Sequence, residues 1–318
     1  MTLFALPNHP VPDGCVASEL VAADGVKLRF ARWAPEGGAK GGTRGTVALF
    51  GGRCEFIEKY FEVVRELRSR GFAVAMVDWR GQGGSQRLLR NPLKGHVTRF
   101  SDYLLDLEVF AREVLLPDCP PPHFALAHSM GAAILLSSVL EGQRWFDRMV
   151  LTAPMLGLDM VPLEGIVRPL SIALAHLGFA RSYVPGGHGR ALSRMRFEGN
   201  LLTSDRARFE RTQALASTFP MLDLGAPTMG WLAGAEATMA MLTHPDTISR
   251  IRQPLLIIAA GGERLVSNKA IEHFAARLIA GAHVVVPASR HELMMEKDIF
   301  RAQFWAAFDA FIPGTPIL

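Results

Sequence analysis

Three residues in this chain have the types and the order needed to cleave an acyl bond. Ser129 lies in Ala127-His128-Ser129-Met130-Gly131, at the end of an apolar run and the start of a helical pattern. A nucleophile on such a strand-to-helix turn needs small residues two before and two after it, because the two backbones approach closely. Ala127 and Gly131 meet that need. The helix behind the serine also aims its positive end and free N–H groups at any oxyanion formed there. A serine hydroxyl is a weak nucleophile near neutral pH, so it needs a base, and the base needs an orienting acid. Glu263 follows the apolar run 255–260, and His291 follows the run 283–287. Each therefore falls just past the C-terminal end of an expected strand, on the edge where α/β sites form. Taken singly, the three have ordinary readings: a loop serine, a surface carboxylate beside Arg264, a capping histidine. Together they read as nucleophile, acid and base.

The elements that must position them are visible as alternating patterns. Short apolar runs bounded by Gly, Pro or Asp predict buried strands at 46–50, 72–78, 124–128, 149–152, 255–260 and 283–287. Helical spacing predicts helices over 57–70, 103–116, 132–140, 268–279 and 299–311. Nearly continuous apolar strands alternating with helices imply an α/β fold, with a mostly parallel sheet covered on both faces. Between about 154 and 246 the alternation stops in a stretch rich in Leu, Met, Ala and Arg. The expected organisation is a first core segment 1–154, a helical cap insertion 155–245 and a second core segment 246–318.

The order serine, acid, histidine is that of the α/β-hydrolases. In that fold the loop after the first core strand gives one oxyanion N–H and the residue after the nucleophile gives the other. The run 46–50 leads into Gly51-Gly52-Arg53-Cys54-Glu55, so Arg53 and Met130 are the expected backbone donors, with Gly52 beside them. Phe50-Gly-Gly-Arg-Cys-Glu-Phe-Ile-Glu-Lys-Tyr60, Asp78-Trp-Arg-Gly-Gln-Gly-Gly-Ser85 and His128-Ser-Met-Gly131, with the late Glu263 and His291, resemble the lysophospholipase and monoacylglycerol-lipase branch of the α/β-hydrolases. The resemblance spans about residues 18–312 and is loosest in the insertion. It implies a serine hydrolase of lipid-like esters with a helical cap over the site. Two positions depart from the branch: the acid is Glu263 rather than the usual Asp, and Ala127 replaces the usual Gly. Gly52, His128, Met155 and Leu156 are the expected substrate contacts. Asp78 and Arg80, two apart, read as a loop brace through charge-assisted hydrogen bonds. Glu55 and Lys59 read as a local i,i+4 ion pair.

Composition narrows the remaining classes. A chain of 318 residues, 49% hydrophobic and 20% charged, can bury a large core without disulfides or structural metal. Cys15, Cys54 and Cys119 are too few and too widely spaced for a disulfide framework or a cysteine zinc site. No Walker sequence is present, Gly81-Gln82-Gly83 lacks the third glycine of a dinucleotide fingerprint, and Met295 stands where a helical zinc motif needs histidine. No cofactor or metal is expected. The start lacks a basic segment and is broken by Pro7, so a soluble cytoplasmic protein is expected. A net charge of +4 is too weak to argue for nucleic acid. It equals the excess within 181–211, where seven arginines face three acids. That segment is either a solvated helical face or a contact with phosphate head groups at a membrane surface. The Leu- and Met-rich insertion suits an acyl chain. Two other readings stand beside the esterase: an aminopeptidase or amidase on the same scaffold, which would want acidic groups in the cap, and a non-catalytic ligand-binding protein.

Overall fold

Continuously apolar runs form the middle of one sheet, whose order is β1-β2-β4-β3-β5-β6-β7-β8. The computed structural model describes residues 2–36, 42–159, 164–187, 189 and 191–312, without the side chains of residues 164–168 and 176. The strands are β1 Cys15–Val21, β2 Lys27–Trp33, β3 Thr46–Phe50, β4 Ala73–Val77, β5 His123–His128, β6 Arg148–Thr152, β7 Leu255–Ala260 and β8 Gly281–Val286. From β4 to β8 across the sheet every pairing is parallel. The α/β expectation with a mostly parallel sheet therefore holds. The exceptions are β1 and β2, an antiparallel pair joined to β4 that the sequence reading missed. β2 mixes Lys27, Arg29 and Arg32 with apolar residues, and β1 is largely solvated, as antiparallel edge strands often are.

Helices of eight or more residues are α1 Phe61–Ser69, α2 Asp102–Phe110, α3 Met130–Leu140, α4 Glu164–Leu174, α5 Arg206–Thr218, α6 Met229–Leu242, α7 Asn268–Ala275 and α8 Asp298–Phe311. The run expected as one helix over 57–70 begins as a 3₁₀ turn, Ile57–Tyr60, before α1. The run over 103–116 passes from α2 through a π-helical turn at Ala111–Leu115 and continues to Asp118, past Pro117. Two apolar clusters cover the two faces of the sheet, and one of them includes Trp231, Leu232 and Met239 of α6. The buried face of α6 thus joins the main core instead of a separate cap core. Met160 and Val161 lie outside the described residues, as do the side chains of Ile166 and Val167. No helix among the described residues is long and apolar enough to cross a membrane.

The chain leaves β3 for β4 on one side and returns to β5 on the other, so β3 marks the point where strand order reverses. Ligand sites of open α/β sheets lie in the crevice at such a point, beyond the strands' C-terminal ends. The loops after β3, β4, β5, β7 and β8 all open onto that edge.

Candidate active site

Ser129 follows β5 at once, and its backbone is forced to φ 49°, ψ −111°, a conformation that few non-glycine residues adopt. The cause is the tight strand-to-helix reversal. A Cβ on Gly131 would stand 2.7 Å from the Gly51 carbonyl oxygen and 2.9 Å from that of Phe50. Only glycine lets α3 start this close to the loop after β3. The strained turn is held by the Ser129 N–H donating to the Thr152 carbonyl at 3.0 Å, and by the Met155 N–H donating to the Ser129 carbonyl at 3.1 Å.

The hydroxyl of Ser129 lies 3.1 Å from His291 Nε2, and His291 Nδ1 lies 2.7 Å from Glu263 Oε2. With Nδ1 donating to the carboxylate, Nε2 is the acceptor for the serine proton. The other carboxylate oxygen of Glu263 accepts from the N–H groups of Arg264 at 2.9 Å and Leu265 at 2.8 Å. Glu263 is thus anchored by backbone on one oxygen and free to orient His291 with the other. Burial pushes its pKa up, but the hydrogen bond and charge of His291 and the two N–H donors outweigh that, and the carboxyl ends below its ordinary value. Its side chain is 1% exposed, which removes the reading of a surface carboxylate paired with Arg264.

The loop after β3 meets the nucleophile closely. A Cβ on Gly52 would lie 3.2 Å from both Ser129 Cβ and His128 Cδ2. The Gly52 N–H donates to the Glu55 carboxylate, so it is already committed. The Arg53 N–H makes no hydrogen bond among the described residues, and the Met130 N–H is one of the unsatisfied donors at the start of α3. Cys54, at φ 63°, turns the chain back after Arg53.

Behind this loop lies a sealed ionic cluster larger than the local pair expected from Glu55 and Lys59. Lys59 Nζ is 2.7 Å from Glu55 Oε1 and 2.6 Å from Glu292 Oε1, and Tyr60 donates its hydroxyl to Glu55 at 2.6 Å. The cluster ties the loop after β3 to the residue following His291. His128 packs its ring on His291, with centroids 4.6 Å apart, and hydrogen bonds Thr152 through Nδ1 at 3.1 Å. Burial pulls the His128 pKa down to about 4, so it is neutral near pH 7. Met155 and Leu156 are 3% and 2% exposed and belong to the main apolar cluster.

Asp78 and Arg80 brace the neighbouring loop, but not as a pair. Asp78 holds Arg29 of β2 at 2.5 Å and accepts from the Ile57 N–H at 3.0 Å, while Arg80 holds Asp106 at 2.7 Å and Asp24 at 2.6 Å. The sequence spacing suggested a local contact, and the tertiary structure supplies distant partners instead. Thr152, Glu292 and Glu296 were not anticipated. Glu296 accepts from the Arg290 N–H at 2.8 Å and from Ser204 of the insertion, which fixes the loop carrying His291. Beyond the i,i+4 spacing of Glu55 and Lys59, a carboxylate directly after the candidate base was the local signal for this cluster.

A family model described as serine aminopeptidase, S33, matches residues 41–298. The chain belongs to this hydrolase family. It is 33% identical over 299 residues to lysophospholipase L2 of Escherichia coli strain K12, covering 90% of this chain and 84% of that protein. A probable lysophospholipase L2 of Haemophilus influenzae is 29% identical over 272 residues, covering 85% of this chain and 84% of that one. Among solved structures, a soluble variant of monoglyceride lipase from Saccharomyces cerevisiae superposes with a TM-score of 0.73 at 20% identity, over 97% of each chain. A thermostable carboxyl esterase from Bacillus coagulans gives 0.70 at 16% identity, over 96% of this chain and 99% of that one. The fold of this S33 family member is thus the α/β-hydrolase fold.

Proposed function

We propose that the protein hydrolyses carboxylic esters of lipid-like substrates, lysophospholipids or monoacylglycerols, through an acyl-enzyme. Ser129 Oγ attacks the ester carbonyl while His291 Nε2 takes its proton, with Glu263 orienting the imidazole and stabilising the imidazolium. The N–H groups of Arg53 and Met130 receive the oxyanion, and each such donor contributes about 2.7–4 kcal/mol in the transition state. His291 then protonates the departing glycerol oxygen, and water repeats the sequence to release the fatty acid. The chemistry needs no cofactor. The observation that carries the reading is the unbroken hydrogen-bonded line Glu263–His291–Ser129, ending on a serine held at positive φ. The curated relatives' lysophospholipase names favour a lipid-like ester. A fluorophosphonate probe should label wild-type protein at Ser129, and Ser129→Ala and His291→Ala should nearly abolish p-nitrophenyl ester turnover while keeping the fold. Unlabelled wild type would leave the non-catalytic, ligand-binding reading.

The family description keeps an aminopeptidase in view. An enzyme of that kind needs a carboxylate to hold a free amino terminus. Three of the insertion's acids, Glu198, Glu210 and Asp205, are instead paired with Arg206 or Arg208. Faster turnover of an aminoacyl p-nitroanilide than of matched esters would reverse the preference.

A cytoplasmic setting fits three cysteines that are all unpaired. We assign the insertion a peripheral membrane contact in narrower form than residues 181–211. Arg208 and Arg211 hold Glu62 of α1, so their charge is spent inside the molecule. Leu177 and Phe179 are 72% and 54% exposed beside Arg181, a better combination for an anionic lipid surface. Equal sedimentation with neutral and anionic vesicles would count against it.

A further inference from the structure

Arg53 has a backbone and a side chain with different destinations. The backbone runs beside Ser129, while the side chain reaches the insertion. Its Nη2 donates to the Gly225 carbonyl and its Nη1 to Cys54 Sγ at 3.0 Å, and the guanidinium lies 5.4 Å from the centre of the Trp231 ring. Nε is sealed from solvent and has no hydrogen-bond partner among the described residues. A guanidinium carries five N–H donors, and here two bonds to protein are made. Neither partner is an anion. Gly225 offers a neutral carbonyl, and burial pushes the Cys54 thiol up, keeping it protonated. Among the described residues no carboxylate stands within ion-pair distance of Arg53. The sealed arginines on the same edge of the sheet are treated differently: Arg29 holds Glu58 and Asp78, and Arg80 holds Asp24 and Asp106. A guanidinium partly removed from water without a counter-charge is costly, and an arriving anion relieves that cost. Arg53 is half-buried, whereas Arg29 and Arg80 are sealed from solvent.

The two substrate types left open above differ in this respect. In a lysophospholipid a phosphodiester sits across the three glycerol carbons from the ester, where a monoacylglycerol has a hydroxyl. If the ester carbonyl lies against the Arg53 N–H, the far end of the glycerol comes within reach of the same residue's side chain. The planar donor fork of arginine matches phosphate oxygens in pairs, and the Gly225 carbonyl and Trp231 face hold it ready without neutralising it. We propose that the Arg53 guanidinium is the subsite that reads the substrate's phosphodiester and makes lysophospholipid the preferred ester. This rests on the ester-hydrolase reading and narrows it.

The test compares lysophosphatidylcholine with monoacylglycerol of the same acyl chain, in the same detergent, for wild type, Arg53→Met and Arg53→Lys. The backbone donor is common to all three, so the ratio of the two kcat/KM values isolates the side chain. Arg53→Met should lower the lysophospholipid-to-monoacylglycerol ratio by about tenfold or more, the scale of one charge-assisted hydrogen bond. Most of the loss should appear in KM for the lysophospholipid, and Arg53→Lys should restore part of it. Thermal unfolding checks that each variant is folded. Equal losses on both substrates, meaning a clamp between loop and insertion, would overturn the subsite, and so would an unmoved ratio. Wild type that the fluorophosphonate does not label would sink the hydrolase reading and the subsite with it. Labelled wild type with an unmoved ratio would sink the subsite alone.

Discussion

At the scale of single residues, the departure from the usual acid has a physical resolution. Glutamate is one methylene longer than aspartate, and Glu263 absorbs the extra length by folding back on its own loop. One oxygen takes the Arg264 and Leu265 N–H groups and the other reaches His291 at 2.7 Å. Glu263→Gln keeps the shape but presents an amide where His291 needs an acceptor. If Glu263 is the acid, steady-state ester turnover should fall by about 10⁴-fold; near-wild-type turnover would mean that another residue fills the role. Lys59 is the second residue whose removal should be severe, because among the described residues it is the one cation paired with both Glu55 and Glu292. Lys59→Met leaves two buried carboxylates facing each other, and urea unfolding should show a loss of about 3–5 kcal/mol. A change under 1 kcal/mol would show that the cluster is not sealed as described.

At the scale of elements, function depends on how closely β5, α3 and the loop after β3 approach. Gly131 is the contact point, because a Cβ there meets two backbone oxygens rather than a yielding side chain. Gly131→Ala should therefore push the loop after β3 away from Ser129. The expected result is a folded protein with lowered thermal stability and a kcat reduced more than KM is raised. An unchanged kcat would contradict the close-approach argument. The loop carrying His291 is also set by an element outside the core sheet. Leu202 accepts from the Glu292 N–H at 2.8 Å, and Thr203 donates its hydroxyl to the Met295 carbonyl at 2.7 Å. A segment of the insertion thus holds the loop that carries His291.

At the scale of the whole molecule, buried histidines and the contact between insertion and core give stability a direction with pH. Burial lowers the pKa of His9 and of His128 to about 4 from the ordinary 6.5. Between those values the unfolded chain binds more protons, so their contribution is full above about pH 6.5 and is lost as pH falls to 4. Glu62 is also depressed, to about 2: burial pushes it up, but hydrogen bonds and charge from Arg208, Arg301 and Arg211 outweigh that, so its contribution fades at still lower pH. The melting temperature should drop steadily below pH 6.5, and His9→Gln should flatten the upper part of that fall; a flat wild-type profile from pH 7 to 4 would refute the assignment. Much of this protein was legible in the chain itself. Buried parallel strands must be continuously apolar, so β3 to β7 could be read directly, and a strained turn needs small neighbours, which marked Ser129. β1 escaped because a half-exposed strand imitates a loop, and β2 because Lys27, Arg29 and Arg32 interrupt its apolar run although most of it is buried. Partner choice was illegible for a different reason. Asp78 finds Arg29, Lys59 finds Glu292, and Arg53 meets no carboxylate among the described residues only once distant segments share one edge of the sheet. Sequence spacing determines which face a side chain takes, but charge pairing acts through space, so only the tertiary structure decided which ions are satisfied and which are not.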